Sequence, residues 1–191
     1  MPKRLPVPLK PAEIQALLLK AREEADGAKT PSKQMGAWRD FVMIQTGLLA
    51  GCRVSELCKL QVEDIDLPGA VLAIKEGKGK KDRNVPIGDR LAIILKSWIG
   101  ERKTGWLFPG PKFKRLTTRA FQKRLAALGK RCGLLKSIHP HLTRHSFATS
   151  LLESGASIIE LQELMGHASI KTTSVYLHVN VGRLKKVIDK L

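Results

Sequence analysis

Apolar residues recur at three- and four-residue intervals along most of the chain, the spacing that gathers them on one face of a helix. Ile14, Leu17 and Leu18 open this pattern behind Pro11, and it runs to Gly27. Proline suits a helix start, where its missing N–H has no partner to lose. A second helix is predicted over 32–50, with Trp38, Phe41, Val42, Ile44 and Leu48 as its buried stripe and Gly51 as its stop. A short third helix over 54–60 leaves Arg53 at a helix start. The period then changes. Val71 to Ile74 and Asn84 to Ile87 flank the glycine-broken basic run EGKGKKDR and read as a hairpin, with Trp106, Leu107 and Phe108 as a third strand. Helices resume over 89–100, 117–132 (Phe121, Leu125 and Leu128 inward), 141–153, 157–165, 170–179 and 181–188. The fold class expected is mainly α with a small antiparallel β-sheet, α+β. One domain spans 11–191, preceded by an arm or linker at 1–10 that holds three prolines and three basic residues.

Composition leaves room for such a core. Of the 191 residues 43% are hydrophobic and 27% charged, which excludes a disordered basic tail. Three cysteines without a C-x-x-C pair argue against a secreted disulfide framework and a four-cysteine zinc site, so the cytoplasm is the expected compartment. Apolar runs such as 91–95 fall far short of the roughly 20 residues a membrane helix needs, and no signal-peptide core is visible at the N-terminus.

Charge narrows the function. Thirty-four Lys and Arg against 17 Asp and Glu leave a formal charge of +17, which points to a polyanionic partner. Between Glu101 and Glu153 lie 51 residues with no carboxylate and 12 cations, too many to be paired within their own stretch. Neutralising phosphates with release of counterions would reward that crowding, so this face is expected to track a nucleic-acid backbone. The solvated-face alternative stays open for any single run.

Within this basic chain the groups able to attack a phosphodiester are few. Tyr176 is the sole tyrosine, and Gly166-His167 stands nine residues before it, glycine fitting a left-handed helix stop. His141 and Arg144 lie three apart at a helix start, on one side of its first turn. The guanidiniums of Arg53 and Arg144 can clamp non-bridging oxygens in bidentate fashion, and Lys78 between glycines can protonate a leaving oxygen. A phenol of pKa about 10 needs such neighbours to act as a nucleophile near neutral pH.

The segments AGCRVSEL at 50–57, GKGKKDR at 77–83, HLTRHSFAT at 141–149 and LMGHAS at 164–169, followed by Tyr176, closely resemble the catalytic domain of tyrosine recombinases, the phage integrase family. The likeness runs from about Lys10 to the C-terminus and keeps the order and spacing of every motif. It implies that Arg53 and Arg144 bind the scissile phosphate, Lys78 is the general acid for the 5′-hydroxyl, and His141 is the general acid/base beside the tyrosine. It further implies that His167 supports the phosphate and that Tyr176 attacks to give a 3′-phosphotyrosine. Strand exchange on double-stranded DNA would then need neither metal nor ATP, and no cofactor is expected. Members of this family usually carry an N-terminal core-binding domain, and with about ten residues ahead of the first helix none is expected within these 191 residues. The expected contacts to the DNA backbone are Lys80, Lys81, Arg83, Lys112, Lys114, Arg115, Arg119, Lys123 and Arg124. Self-association on DNA as a dimer or tetramer is expected, and the final helix, with Val181, Leu184, Ile188 and Leu191 on one face, packs either on its own chain or on a neighbour.

Other readings are a catalytically dead DNA-binding module of the same fold and a type IB topoisomerase. His139, His141 and His145 suggest a metal, but no H-E-x-x-H glutamate or evident third ligand accompanies them, and no metal site is expected. His145 reads as a structural residue and His139 as a surface one. Glu56 either caps a helix turn or holds Arg53. Cys52 and Cys58 read as buried small hydrophobes.

Overall fold

A computed structural model describes residues 7–75 and 82–166 of the chain. The described residues order as α1 (Pro11–Asp26), α2 (Pro31–Ala50), α3 (Val54–Leu57), β1 (Ile65–Asp66), β2 (Val71–Ile74), β3 (Arg83–Pro86), α4 (Asp89–Ile99), α5 (Thr118–Arg131), α6 (Pro140–Glu153) and α7 (Ile158–Met165). This is the expected mainly helical fold with a small sheet. None of the described helices is long and apolar enough to cross a membrane.

α2 is the axis. Every residue from Val42 to Leu48 is buried, so its second half is enclosed on all sides by α1, α4, α5 and α6. Closure against α6 depends on Gly47, where an added Cβ would stand 3.2 Å from Thr143 Oγ1. α6 is equally enclosed from Leu142 to Ser146, and two of its buried hydroxyls bond within the helix, Thr143 to the Pro140 carbonyl and Ser146 to the Leu142 carbonyl. Ser146 Oγ also accepts from Leu9 N at 2.9 Å, which ties the start of the chain to the core.

The three strands run antiparallel in the order β1-β2-β3, with Leu72 opposite Ile65 on one side and Val85 on the other. Leu72, Ile74 and Val85 point into the core. The third strand is therefore Ile65–Asp66 and not 106–108. Trp106 makes a single bridge to Gln61, after which the Leu107 N–H donates to Leu60 O and the Leu107 carbonyl accepts from the Trp98 indole at 2.7 Å. With its carbonyl taken by a side chain, the segment forms no ladder, and Leu107 and Phe108 become core residues. α3 is also shorter than its pattern predicted. The N–H groups of Lys59 and Leu60 both return to Glu56 O, and the chain then leaves the helix axis to meet Leu107.

The acid-free segment proves to be partly answered from elsewhere. Arg131 forks onto Glu24 at 2.6 and 2.8 Å and Lys136 reaches Glu13 at 2.9 Å, which clamps α1 against α5 and the loop that follows it. Asp40, already paired with Arg39, also receives Arg124. Arg102 donates to the carbonyls of Trp98 and Ile99 at the end of α4.

Gly51 ends α2 at φ +60°, and a Cβ there would lie 2.3 Å from the Phe147 ring. Gly51→Ala is expected to lose about 2–4 kcal/mol, left-handed strain and overpacking together. Gly88→Ala, in open space at negative φ but at the N-cap of α4, should cost about 0.5–1 kcal/mol. Urea denaturation of both variants checks the contrast.

Candidate active site

The left-handed turn at Gly51 redirects the chain so that Arg53, extended at φ −69° and ψ 152°, stands at the N-cap of α3. Three residues on, Glu56 is buried beneath it. Glu56 Oε2 accepts the Arg53 backbone N–H at 2.7 Å and Oε1 accepts Arg53 Nη1 at 2.7 Å, so one carboxylate caps α3 and holds the guanidinium. Arg83, the first residue of β3, adds a parallel fork, Nη1 to Oε1 and Nη2 to Oε2, each at 2.9 Å.

α7 ends as the glycine at its foot predicts, with Gly166 left-handed at φ +59°. Its last carbonyls would otherwise lack partners. Leu164 O accepts Arg83 Nε at 3.0 Å, Met165 O accepts Arg144 Nη2 at 2.6 Å, and Gly166 O accepts Arg53 Nη2 at 2.9 Å. Three successive carbonyls thus receive three arginines, from β3, from α6 and from the N-cap of α3. Arg144 also donates through Nη1 to Gly51 O, the matching end of α2. Both ends are the negative poles of helices, which suits cations.

Against the three guanidiniums stands one carboxylate. Burial works to raise the Glu56 carboxyl, but the Arg83 fork and the Arg53 N–H outweigh it and hold the group at about 2. Arg144 is pushed down to about 10 by burial and then by the Arg53 charge, and so remains a cation at neutral pH. Among the described residues the cluster carries a surplus of two positive charges beside a helix end, an arrangement suited to an anion of one or two charges. Burial raises Cys52 to about 12 and Cys58 to about 11, which makes both thiols inert.

Of the six residues predicted to do chemistry, Arg53 and Arg144 come together on adjacent carbonyls, and His141 lies exposed on the first turn of α6. Lys78, His167 and Tyr176 lie outside the described residues, as do Lys80, Lys81 and the two final helices. Lys112, Lys114, Arg115, Arg119 and Lys123 are exposed in and just before the first half of α5 and form no ion pair among the described residues. Two expected backbone contacts have other partners: Arg124 donates to Asp40 and Gly36 O, and Arg83 is turned inward onto Glu56. Each satisfies a carboxylate that would otherwise be left with fewer bonds. Among the histidines, His139 is not simply a surface group, because its Nδ1 accepts the Leu142 N–H at 3.2 Å and caps α6. Burial, and the nearby His141 charge, lower its pKa. His145 is buried. No group of three or more potential metal ligands occurs among the described residues. The role of Arg83 escaped the sequence reading, although its place directly after the basic run was visible.

Residues 9–183 match the phage integrase family. A tyrosine recombinase of Pseudothermotoga lettingae is 41% identical over 192 residues, 99% of this chain and 62% of the relative. Tyrosine recombinase XerC of Xanthomonas axonopodis pv. citri is 36% identical over 175 residues, 90% of this chain and 57% of the relative. Among solved structures, the XerA recombinase superposes with a TM-score of 0.79 at 29% identity, covering 100% of this chain and 65% of that one. The XerH site-specific recombinase bound to its difH substrate, a pre-cleavage complex, gives a TM-score of 0.76 at 29% identity over 98% of this chain and 55% of that one. The chain spans less than two thirds of the length of each of these relatives.

The low pKa of Glu56 carries a stability signature. Held near 2 in the fold against an ordinary 4.5, the carboxylate contributes stability fully above about pH 4.5 and loses it as pH falls toward 2. Acid titration of urea stability should therefore fall more steeply over that window in the parent than in Glu56→Gln.

Proposed function

The chain belongs to the phage integrase family, and from that premise we propose that it carries the catalytic part of a site-specific recombinase that cuts and rejoins double-stranded DNA through a covalent 3′-phosphotyrosine. The observation that carries this reading is the pair Arg53 and Arg144, fixed on neighbouring carbonyls at the end of α7 with net positive charge around them. Arg53 is fixed through Nη1 on Glu56 and Nη2 on Gly166 O, and Arg144 through Nη1 on Gly51 O and Nη2 on Met165 O, so both guanidinium planes are set in advance, and a planar array of five N–H donors suits bidentate recognition of a phosphate.

In this reading Tyr176 Oη attacks phosphorus and forms the phosphotyrosyl ester while the bond to the 5′-oxygen breaks. Lys78 delivers the proton that the departing 5′-oxygen requires, and His141 takes up and later returns the tyrosine proton. His167 supports the same phosphate. Arg53 and Arg144 stabilise the charge that builds on the equatorial oxygens, a contribution that grows because Arg144 is buried and needs no reorganisation at the moment of reaction. One phosphate ester replaces another, so the bond energy is kept for resealing, and metal and ATP have no part. Exposed Lys112, Lys114, Arg115, Arg119 and Lys123 supply backbone contacts at the start of α5, and assembly as a dimer or tetramer on DNA would allow exchange between duplexes.

Nicked suicide duplexes bearing recombinase-type inverted repeats test this. The full chain should form a covalent protein–DNA adduct that Tyr176→Phe abolishes. Arg53→Ala and Arg144→Ala should each slow adduct formation by about 10²–10³-fold. Absence of adduct with every duplex would instead favour a DNA-binding module, and sequence-independent relaxation of supercoiled plasmid without recombinant product would favour a topoisomerase. Lys78→Ala should regain most of its lost rate on DNA with a 5′-thio leaving group, which needs no proton.

A further inference from the structure

Arg83 was expected to touch the DNA backbone, yet its side chain is only 11% exposed and its donors face inward. Nη1 and Nη2 fork onto Glu56 and Nε bonds Leu164 O. Its stem packs on the turn at Gly166, where an added Cβ would lie 3.0 Å from Arg83 Cδ. The guanidinium of Arg53 rests on two acceptors, Glu56 Oε1 at 2.7 Å and Gly166 O at 2.9 Å. Arg83 holds both supports: the carboxylate directly, and the helix end through a carbonyl two residues earlier.

We propose that Arg83 is a positioning residue for Arg53, which fixes the Glu56 carboxylate and the α7 terminus between which Arg53 is held and makes no contact with DNA. Geometry explains why arginine stands there. A lysine offers one compact ammonium and cannot fork onto a carboxylate while also reaching a carbonyl on the other side. Without Arg83, Glu56 would have only Arg53 among its described side-chain partners, and the second guanidinium would be drawn toward the carboxylate and away from a phosphate. The kinetic part of this inference rests on the recombinase reading, whereas the contact itself does not.

Arg83→Gln, Arg83→Lys and the double variant Arg83→Gln/Glu56→Gln, each in the full chain, provide the test. Carbon-13 NMR titration of the Glu56 carboxyl needs no DNA, and its midpoint should rise from about 2 in both single variants. Single-turnover cleavage at saturating suicide duplex should slow roughly 10–100-fold in Arg83→Gln and less in Arg83→Lys, with DNA affinity and its salt dependence changed by less than about twofold. The double variant, which removes both members of the pair, should be less impaired than Arg83→Gln. Should Arg83→Gln fail to fold, Arg83→Lys carries both measurements. A wild-type cleavage rate together with a salt slope lower by about one would make Arg83 a phosphate contact and overturn the proposal. An unmoved Glu56 midpoint would overturn it as well. If the parent forms no adduct on any duplex, the recombinase reading falls, and the Glu56 titration alone decides Arg83.

Discussion

Three guanidiniums meet at the end of one short helix, and that convergence depends on a single buried carboxylate. Arg53, Arg83 and Arg144 would repel one another in a space that excludes most water, where like charges are poorly screened. Glu56 neutralises one of the three, and the carbonyls of Leu164, Met165 and Gly166 satisfy a donor from each. Desolvating ions is costly unless the geometry gives each of them hydrogen bonds, and here every arginine has them. What survives is a cationic surplus rather than a neutral pair. A closed salt bridge would offer nothing to an anion, whereas a cationic surplus is what the proposed phosphate site requires.

The scaffold beneath the cluster is built to hold it still. α2 and α6 cross where Gly47 admits Thr143, and both helices are enclosed over the turns that lead to Gly51 and Arg144. Left-handed glycines stop α2 and α7 at the positions that expose their final carbonyls. A side chain on Gly51 would collide with Phe147, so the stop and the packing of α6 are one requirement. In the proposed reading Arg53 and Arg144 act on one phosphate and gain from this rigidity, because displacement of about 1 Å can cost two orders of magnitude in rate.

The wider charge pattern obeys the same division. Acids on α1 and α2 reach across to Arg124, Arg131 and Lys136, binding α5 and the following loop to the core. Cations ahead of α5 and on its first turns have no such acids beside them among the described residues and stay exposed. A basic segment of sequence thus separates into cations that hold the fold and cations that face outward.

Periodicity and punctuation made most of the helices legible, since a 3.6-residue repeat, a proline start and a glycine stop act through bonds within a few residues. The arginine motifs at Arg53 and Arg144 were legible for the same reason, each being a short local pattern. Those local rules did not reveal that the third strand is Ile65–Asp66, because a strand of two residues exists only by virtue of its partner. Nor did they reveal that Arg83 turns inward. Its pairing with Glu56 spans 27 positions and that of Arg144 with Gly51 spans 93, and each forms only when separate helices and a sheet have packed. By itself the sequence determined which groups are available and where the chain bends. Tertiary structure alone decided which of the described cations are consumed by the fold and which stay exposed, because hydrogen bonding and desolvation depend on what lies within a few ångströms in space and not along the chain.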